Sequence, residues 1–221
     1  MDAQILSLLE PAEVDGIRAE LARHPFVAGE RTAQGGARSV KDNLQLDPTS
    51  PAALELGRIV LAALRRNETF QGFALPRRVM PPLFNRYEAG MAYGAHVDGG
   101  LMATAAEPMR TDLALTLFLS SPESYEGGEL ILEQPAGEEE MKLEAGEALL
   151  YSASCVHRVN PVQSGVRLAA VTWVQSVVRD ERVRGVLYDL QQALRGLADR
   201  EREALLVSKS YQNLLRLAAE L

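Results

Sequence analysis

Two side chains of types that bind metals, His96 and Asp98, lie two positions apart in the stretch YEAGMAYGAHVDGG. In a β-strand, residues two apart face the same side of the sheet. An imidazole nitrogen and a carboxylate oxygen can therefore be presented to one point, where they would bind a metal ion. A His-x-Asp triplet is a weak signal by itself. The alternative interpretation is a solvated loop histidine beside a turn aspartate.

A third candidate ligand, His157, lies several predicted strands later, and a β-barrel can return it to the same mouth. Two histidines and one carboxylate on one face of an octahedron leave three positions open, which is the arrangement of non-haem Fe(II) oxygenases. Three ligands and one water would also suit catalytic zinc, so a zinc hydrolase is the rival enzyme class. The remaining histidine, His24, precedes Pro25 without an acidic residue at close spacing, and no function is assigned to it.

Arg167 follows His157 after the turn-forming segment VNPVQSG and lies in the apolar run VRLAAVTW. The planar fork of an arginine pairs bidentately with a carboxylate, and a buried arginine needs such a partner. Arg167 is therefore a candidate to bind the far carboxylate of 2-oxoglutarate, whose keto acid end would chelate iron. A surface charge is the alternative for this residue. A non-catalytic barrel that binds a carboxylate or senses iron is the alternative for the protein.

The segments that must position these residues differ in pattern along the chain. Residues 1–75 are predicted to be mostly helical, with one helix ended by Pro25 and another capped by Ser50 before Pro51. Residues 76–178 contain short β-rich runs at close spacing, which predict an all-β barrel or jelly roll. In this region EGGEL predicts a tight turn between Tyr125 and the next strand. Residues 179–221 return to helical spacing and predict a two-helix tail, packed on the core or on a partner.

Apolar faces were assigned to the predicted helices from residue spacing. The helix after Ser50 is predicted to bury Leu54, Ile59, Leu61, Ala62 and Leu64. The first tail helix is predicted to bury Val183, Val186, Leu187, Leu190 and Leu194, and the second has Leu205, Leu206, Leu214, Leu215 and Leu217.

Composition limits the classes of protein to which the chain can belong. The 221 residues carry a net charge of -7, which argues against nucleic-acid binding by a broad basic surface. The single cysteine, Cys155, forms no intramolecular disulfide, and no apolar run is long enough to span a membrane. The N-terminal segment is interpreted as helix-forming and not as a signal peptide. We therefore expect a cytoplasmic protein without nucleic-acid or membrane partners.

The segments NRYEAGMAYGAHVDGG, YEGGELIL and GEALLYSASCVHRVNPVQSGVRLAAVTWVQS resemble the bacterial PKHD-type hydroxylases, which are Fe(II)- and 2-oxoglutarate-dependent dioxygenases related to prolyl and lysyl hydroxylases. The resemblance extends from about residue 75 to the C-terminus and more loosely through the N-terminal region. It implies a mainly β core with flanking helices (α+β), in which a double-stranded β-helix (jelly roll) has N-terminal helices and a short C-terminal helical extension. Residues 1–178 would form one dioxygenase domain, with 1–75 as helical support, 76–178 as the catalytic core and 179–221 as the extension.

The resemblance also implies the ligands and the reaction. Iron would be bound by His96, Asp98 and His157, and 2-oxoglutarate by Arg167, with L-ascorbate as reductant. Oxidative decarboxylation of 2-oxoglutarate to succinate and CO2 would accompany O2-dependent hydroxylation of a small-molecule or peptide substrate. A homodimer is a further expected partner. The chain departs from the family pattern after the aspartate, where asparagine is frequent and Gly99–Gly100 stand instead; these glycines would loosen a loop over the substrate.

Other residues near the motifs have candidate roles, each beside a plainer interpretation. Tyr87 would donate a hydrogen bond to 2-oxoglutarate, and Thr116 would point into the barrel near the far carboxylate. Tyr93, Gly99 and Gly100 are assigned to the substrate loop. The plainer interpretations are core aromatics for the tyrosines and an outward-facing strand residue for Thr116. For four further residues the plainer interpretation is favoured. Trp173 is interpreted as a core anchor on the face of Arg167 rather than a substrate contact, and Cys155 as a small buried hydrophobe rather than a thiolate ligand. Glu126 and Glu129 are interpreted as solvated turn residues.

Overall fold

The computed structural model describes residues 3–32, 35–104, 107–197 and 199–220. Two short 3-10 turns lie at Gly29–Thr32 and Pro122–Ser124. The helices within these ranges are α1 (Pro11–Leu21), α2 (Gly35–Ser39), α3 (Pro51–Arg66), α4 (Glu68–Ala74), α5 (Glu181–Arg195) and α6 (Glu201–Ala218).

The strands are short, and most lie in the middle of the chain. In chain order they are β1 (Gln4–Ser7), β2 (Phe26–Ala28), β3 (Lys41–Asp42), β4 (Leu44–Leu46), β5 (Pro76–Val79), β6 (Leu83–Tyr87), β7 (Ala92–His96), β8 (Leu101–Met102), β9 (Met109–Arg110), β10 (Leu113–Phe118), β11 (Tyr125–Gly127), β12 (Leu130–Gln134), β13 (Gly137–Met141), β14 (Glu147–Ser152), β15 (His157–Val159), β16 (Val162–Gly165) and β17 (Arg167–Ser176).

Two antiparallel sheets enclose the interior of the protein. The major sheet has the order β1-β14-β10-β17-β6-β4-β2, with β5 also paired to β17. The minor sheet has the order β13-β12-β15-β7-β3. Apolar side chains from both sheets form one cluster between them, and a second cluster lies between the major sheet and the helices. The predicted mainly β core with flanking helices, of jelly-roll type, is confirmed.

Strand β10 shows how the sequence positions both clusters. Successive side chains of a strand point to opposite faces, so Leu113, Leu115 and Leu117 contact the helices. Ala114 and Phe118 face the minor sheet, and Thr116 lies between them on that same face. Because both faces are covered, the strand is an almost continuous apolar run, and its one polar residue is directed into the interior.

Helix α3 packs on the major sheet through a face that differs from the predicted one. The Ser50 hydroxyl accepts a hydrogen bond from the amide of Ala53 at 3.2 Å, so the predicted cap and first-turn proline are confirmed. Leu54, however, is 49% exposed, so its assignment to the buried face is wrong. The chosen positions 54, 59, 61 and 62 do not follow one 3.6-residue stripe. The buried stripe runs through Ala53, Leu56, Val60, Ala63 and Leu64.

The N-terminal region contains more strand than the sequence predicted. Strand β1 lies within the segment interpreted as helix and pairs with β14 at the edge of the major sheet. Strands β2 and β4 extend the other edge, and β3 joins the minor sheet. Helix α1 ends at Leu21, well before Pro25. These strands have two to four residues, too few for a periodic pattern, and their pairing with distant strands determines their conformation.

The C-terminal helices pack on their own chain. Helix α5 lies against α4, where the rings of Phe73 and Tyr188 meet edge to face at 5.3 Å, and α6 lies against α5. Leu187 is fully buried, whereas Val186 is 49% exposed, so its place on the predicted buried face is wrong. No residue of α6 within the described range is buried, and Leu205, Leu206 and Leu217 are exposed. Residue 221, the predicted end of the tail, lies outside the described residues. The predicted domain boundaries at residues 75 and 178 stay predictions.

Asp112 connects the end of β17 to the C-terminus. Its carboxylate accepts hydrogen bonds from Arg110 Nε at 2.7 Å and from the fully buried amide of Ser176 at 2.8 Å. Arg110 also pairs with Glu220 at 2.6 Å.

None of the helices within the described ranges is apolar and long enough to cross a membrane.

We expect Asp112→Ala to lower the free energy of unfolding by about 1–3 kcal/mol, because it leaves the Ser176 amide without a partner. Urea denaturation measures this loss. Asp189→Ala, at an exposed position of α5, is the matched control and should change stability by less than about 0.5 kcal/mol. Equal effects of the two substitutions would refute the structural role of Asp112.

Candidate active site

The three predicted metal ligands lie together at one end of the minor sheet. His96 and His157 are cross-strand partners on β7 and β15, and Asp98 follows two residues after the end of β7. Asp98 Oδ1 lies 4.0 Å from His96 Nε2, and Asp98 Oδ2 lies 3.9 Å from His157 Nε2. One ligand atom from each residue falls within 4.8 Å of the others. Separations of this size allow a single ion to be bound by all three atoms.

The second nitrogen of each imidazole fixes the orientation of the ring. His96 Nδ1 lies 2.8 Å from the carbonyl oxygen of Gly94, and His157 Nδ1 lies 3.0 Å from that of Cys155. A carbonyl oxygen only accepts, so each Nδ1 carries the hydrogen and donates it. Each Nε2 is therefore left with a free lone pair directed towards Asp98, the tautomer that a metal requires.

Burial keeps His96 in its neutral form. Desolvation first, and then the nearby His157, lower the pKa of His96 to about 4. The ring of Tyr93 stacks on the His96 ring with centroids 3.7 Å apart and an interplanar angle of 16°. Tyr93 therefore covers one face of the His96 ring and also lines the cavity. Burial raises the pKa of Tyr93, so its hydroxyl stays protonated.

The loop after Asp98 is anchored at its beginning. The Thr111 hydroxyl donates to the carbonyl oxygen of Gly99 at 2.5 Å, and the Thr111 amide donates to that of Gly100 at 3.1 Å. A Cβ at Gly99 would make only an ordinary contact at 3.6 Å, and one at Gly100 would meet nothing within 4 Å. The backbone therefore does not require glycine at either position. Gly99 lines the cavity, as does Leu101, the first residue of β8, whose side chain is 67% exposed.

Arg167 lies in the interior of the barrel and is 2% exposed. Its guanidinium carbon lies 5.2 Å from the ring centroid of Tyr87 and 5.4 Å from that of Phe118. Its Nε and Nη2 atoms are buried and have no hydrogen-bond partner among the described residues. A buried charged donor without a partner is costly, so this guanidinium is suited to an anion that enters from the cavity.

The Gly127–Gly128 segment turns the chain, as predicted, but the two strands that it joins do not pair with each other as in a hairpin. Strand β11 pairs with β16, and β12 pairs with β13 and β15, so the strands on either side of these glycines belong to different sheets. Both glycines have positive φ, +70° and +67°, which turns the chain from one sheet into the other. A Cβ at Gly128 would lie 3.1 Å from Arg167 Cδ. The segment therefore lies directly against Arg167. The sequence alone does not distinguish a hairpin turn from a crossing between sheets, because a pair of glycines allows either.

The supporting residues named from the sequence line the same cavity. Tyr87 is the cross-strand partner of Arg167, is 3% exposed, and has a pKa raised by burial. Thr116 is buried on the inward face of β10, so its predicted direction agrees with the structure. Trp173 lies on the same face of β17 as Arg167, as predicted. Its indole Nε1 is buried without a hydrogen-bond partner among the described residues, so Trp173 borders the cavity as well as the core.

Three further sequence interpretations concern residues outside the cluster. His24 Nε2 lies 2.8 Å from a carboxylate oxygen of Glu20, four residues earlier, so the prediction that it has no acidic residue at close spacing is wrong. The Cys155 thiol is not directed at the three candidate ligands: it donates to the carbonyl oxygen of Glu133 at 3.3 Å. Its contribution is the backbone oxygen that orients His157. Glu126 is exposed and accepts from Ser164, as a solvated turn residue would.

The cavity between the sheets has a volume of about 680 Å³, within the usual range for sites that bind small molecules. Sequence reasoning missed several of its residues. Lys41 lies on β3, in a region predicted to be helical, and desolvation lowers its pKa to about 8, so it remains mostly protonated at pH 7. Asn85 is buried two residues before Tyr87, and the ring of Tyr151 meets that of His157 at 5.3 Å. A polar residue within an apolar strand, as in LFNRY, was the available signal for Asn85.

Comparison with known proteins agrees with this arrangement. The sequence model of the 2OG-Fe(II) oxygenase superfamily matches residues 82–175, a range that contains the three candidate ligands and Arg167. A solved prolyl hydroxylase from Trichoplax adhaerens, in complex with a hypoxia inducible factor oxygen degradation domain peptide fragment, has the same fold. Its TM-score is 0.57 at 15% identity, over 83% of this chain and 86% of that one. The superfamily match and the fold are those of Fe(II)- and 2-oxoglutarate-dependent oxygenases.

Closer relatives define the family. A PKHD-type hydroxylase of Methylobacterium nodulans is 42% identical over the whole of both chains. Another, of Synechococcus sp. (strain JA-2-3B'a(2-13)), is 46% identical over 97% of each chain. The chain belongs to the PKHD-type hydroxylase family and is a 2-oxoglutarate-dependent dioxygenase, as the resemblance of its motifs implied.

Proposed function

We propose that the protein hydroxylates a C–H bond of its substrate at an iron ion bound by His96, Asp98 and His157. The observation that carries this proposal is the convergence of two imidazole Nε2 atoms and one carboxylate within 4.8 Å, together with a buried guanidinium whose Nε and Nη2 have no hydrogen-bond partner among the described residues. The donor set of two nitrogens and one carboxylate suits non-haem Fe(II) and leaves three positions for other ligands. Iron and 2-oxoglutarate, when bound, supply the oxidising chemistry, with O2 consumed and succinate and CO2 released.

Side chains of the protein hold the reactants in place. Arg167 would donate to the far carboxylate of 2-oxoglutarate through Nε and Nη2, which are buried and free to do so. Tyr87, the cross-strand partner of Arg167 on β6, and Thr116, on the other neighbouring strand β10, would add hydrogen bonds from neutral hydroxyls. The apolar cluster between the sheets excludes water from this end of the cavity, which strengthens each charge-assisted hydrogen bond.

The substrate would enter over the loop that begins at Gly99 and Gly100. Tyr93 and Leu101 line the cavity and would contact the substrate. A zinc hydrolase would give the buried guanidinium of Arg167 no role.

A role for L-ascorbate as reductant, a cytoplasmic location and a homodimer stay predictions. Turnover assays with and without ascorbate test the first of these.

Aerobic incubation of the purified protein with Fe(II) and 2-oxoglutarate tests the proposed reaction. We expect slow formation of succinate and CO2 even without substrate, in equal amounts and dependent on both Fe(II) and O2. Zn(II) in place of Fe(II) should support none. Succinate that forms equally without Fe(II), or no succinate despite bound Fe(II) and 2-oxoglutarate in a screen of peptides and small molecules, would contradict catalysis. The second result would favour a sensor of iron or 2-oxoglutarate.

A further inference from the structure

Lys41 is a second cation at the cavity, on the N-terminal side of the chain. It lies on β3 opposite Tyr93 of β7, and its Nζ atom is 5.3 Å from the centroid of the Tyr93 ring. The same ring stacks on His96, so Lys41 is close to the candidate metal ligands. Lys41 also lies outside residues 82–175, the range matched by the superfamily model. The candidate residues for iron and 2-oxoglutarate chemistry fall inside that range, so the superfamily match assigns Lys41 no part in that chemistry.

The charge of Lys41 has no carboxylate partner of its own. Within the described ranges, its ammonium makes no ion pair, and its hydrogen bond goes to the neutral hydroxyl of Thr32 at 3.0 Å. Asp98 is the acidic group whose charge it feels. If Asp98 binds Fe(II), that charge is shared with the metal, and Lys41 loses its anionic neighbour. Partly buried charges are normally paired, so an anionic group from a bound molecule would complete the site.

Buried polar side chains hold Lys41 in this position. Thr32 Oγ1 accepts from Lys41 and donates to Gln45 Oε1 at 2.6 Å, and Gln45 Nε2 donates to Asn85 Oδ1 at 2.6 Å. Gln45 and Asn85 are 1% and 3% exposed. The chain of hydrogen bonds connects β3 and β4 to β6, and Thr32, Lys41 and Asn85 all line the cavity. A lysine fixed by an interior amide network differs from a solvated surface lysine, whose flexible ammonium is free to move.

The lining of the cavity also includes large apolar side chains. Met80, Leu101 and Trp173 are among them, and Leu101 is largely exposed. From this combination we infer that the substrate carries one carboxylate, bound by Lys41, beside an apolar body that packs on these side chains. The inference rests on the proposed function and names the class of molecule that the same site accepts. A carboxylate of 2-oxoglutarate is the other source of the same chemistry, but its two ends already have partners in the metal and Arg167.

Binding of a matched pair of probes tests this inference. The protein is loaded anaerobically with Fe(II) and 2-oxoglutarate and titrated with N-acetyl-L-leucine or with its neutral amide. Emission of Trp173, the only tryptophan of the sequence, reports binding at the cavity. We expect the acid to bind at least about tenfold more tightly than the amide, because it gains a charge-assisted hydrogen bond. Lys41→Met should remove this preference, and Lys209→Met, at an exposed position of α6, should retain it.

The outcomes separate this inference from the function on which it rests. Equal affinity for acid and amide, no binding of the acid, or a preference that survives in Lys41→Met would overturn it. An affinity for 2-oxoglutarate at least about fivefold weaker in Lys41→Met would assign Lys41 to the co-substrate and would also overturn it. In each of these cases the wild-type protein still binds Fe(II) and 2-oxoglutarate and forms succinate. Failure of the wild-type protein to do so would instead contradict the proposed function.

Discussion

Asp98→Ala is expected to lower Fe(II)-dependent decarboxylation of 2-oxoglutarate by at least about a thousandfold. The substitution removes the one negatively charged ligand of the proposed site, and loss of several kcal/mol of metal interaction corresponds to a rate change of this size. His96→Ala should have a similar effect, because Asp98 and His157 alone leave one position of the ligand face open. Succinate formation at saturating 2-oxoglutarate measures both losses.

The fold should survive Asp98→Ala, because the carboxylate is held near two imidazoles and supports no buried backbone amide. Urea unfolding of the metal-free variant is expected to match that of the wild type within about 1 kcal/mol. Asp42→Ala removes an exposed carboxylate from β3, which pairs with the same strand β7, and is the matched control. Normal turnover in Asp98→Ala would show that the cluster is not the iron site.

Arg167→Met is expected to weaken binding of 2-oxoglutarate by about ten- to a hundredfold. The variant loses a buried, charge-assisted pair with the far carboxylate, worth about 1.5–3 kcal/mol. Its KM for 2-oxoglutarate should rise far more than its kcat falls, because the guanidinium contacts the co-substrate away from the reacting carbon. Steady-state succinate formation over a range of 2-oxoglutarate concentrations separates the two parameters.

A stability measurement gives Arg167 a second, independent test. Without ligand, the guanidinium has two buried nitrogens without partners among the described residues, so Arg167→Met should not be destabilising by more than about 1 kcal/mol. The wild-type protein should be stabilised by added 2-oxoglutarate in the presence of metal, and the variant much less at the same concentration. Arg158→Met, which breaks an exposed ion pair with Glu138, is the control and should retain the effect of 2-oxoglutarate. An unchanged KM in Arg167→Met would remove this residue from the site.

Sequence reasoning selected the residues of the candidate site because they have distinctive types. His96 and Asp98 alone allowed a loop interpretation, and His157 with Arg167 made the set specific enough to resemble a family. The structure places the three ligands together and buries Arg167, and the identity of the relatives confirms the family. The jelly roll was predictable for the same reason: its strands are frequent, apolar and separated by turn residues.

The features that escaped prediction depend on contacts between distant segments. Strand β1 looks helix-forming locally, yet its pairing with β14 makes it a strand. Gly127 and Gly128 look like a hairpin turn, but the strands beside them pair elsewhere. Lys41 had no signal, because only the pairing of β3 with β7 brings it beside Tyr93 and the cavity. Local patterns contain no information on these partners, so tertiary pairing decides the outcome.

The most direct test of the account is an anaerobic titration of the metal-free protein with Fe(II) and then with 2-oxoglutarate, followed by visible absorption. We predict that the weak charge-transfer band of the Fe(II)–2-oxoglutarate chelate appears at one equivalent of iron in the wild-type protein and in Asp42→Ala, but not in Asp98→Ala. Absence of the band in the wild-type protein, together with tight binding of Zn(II) and no consumption of 2-oxoglutarate, would contradict the assignment of an iron- and 2-oxoglutarate-binding site to His96, Asp98, His157 and Arg167.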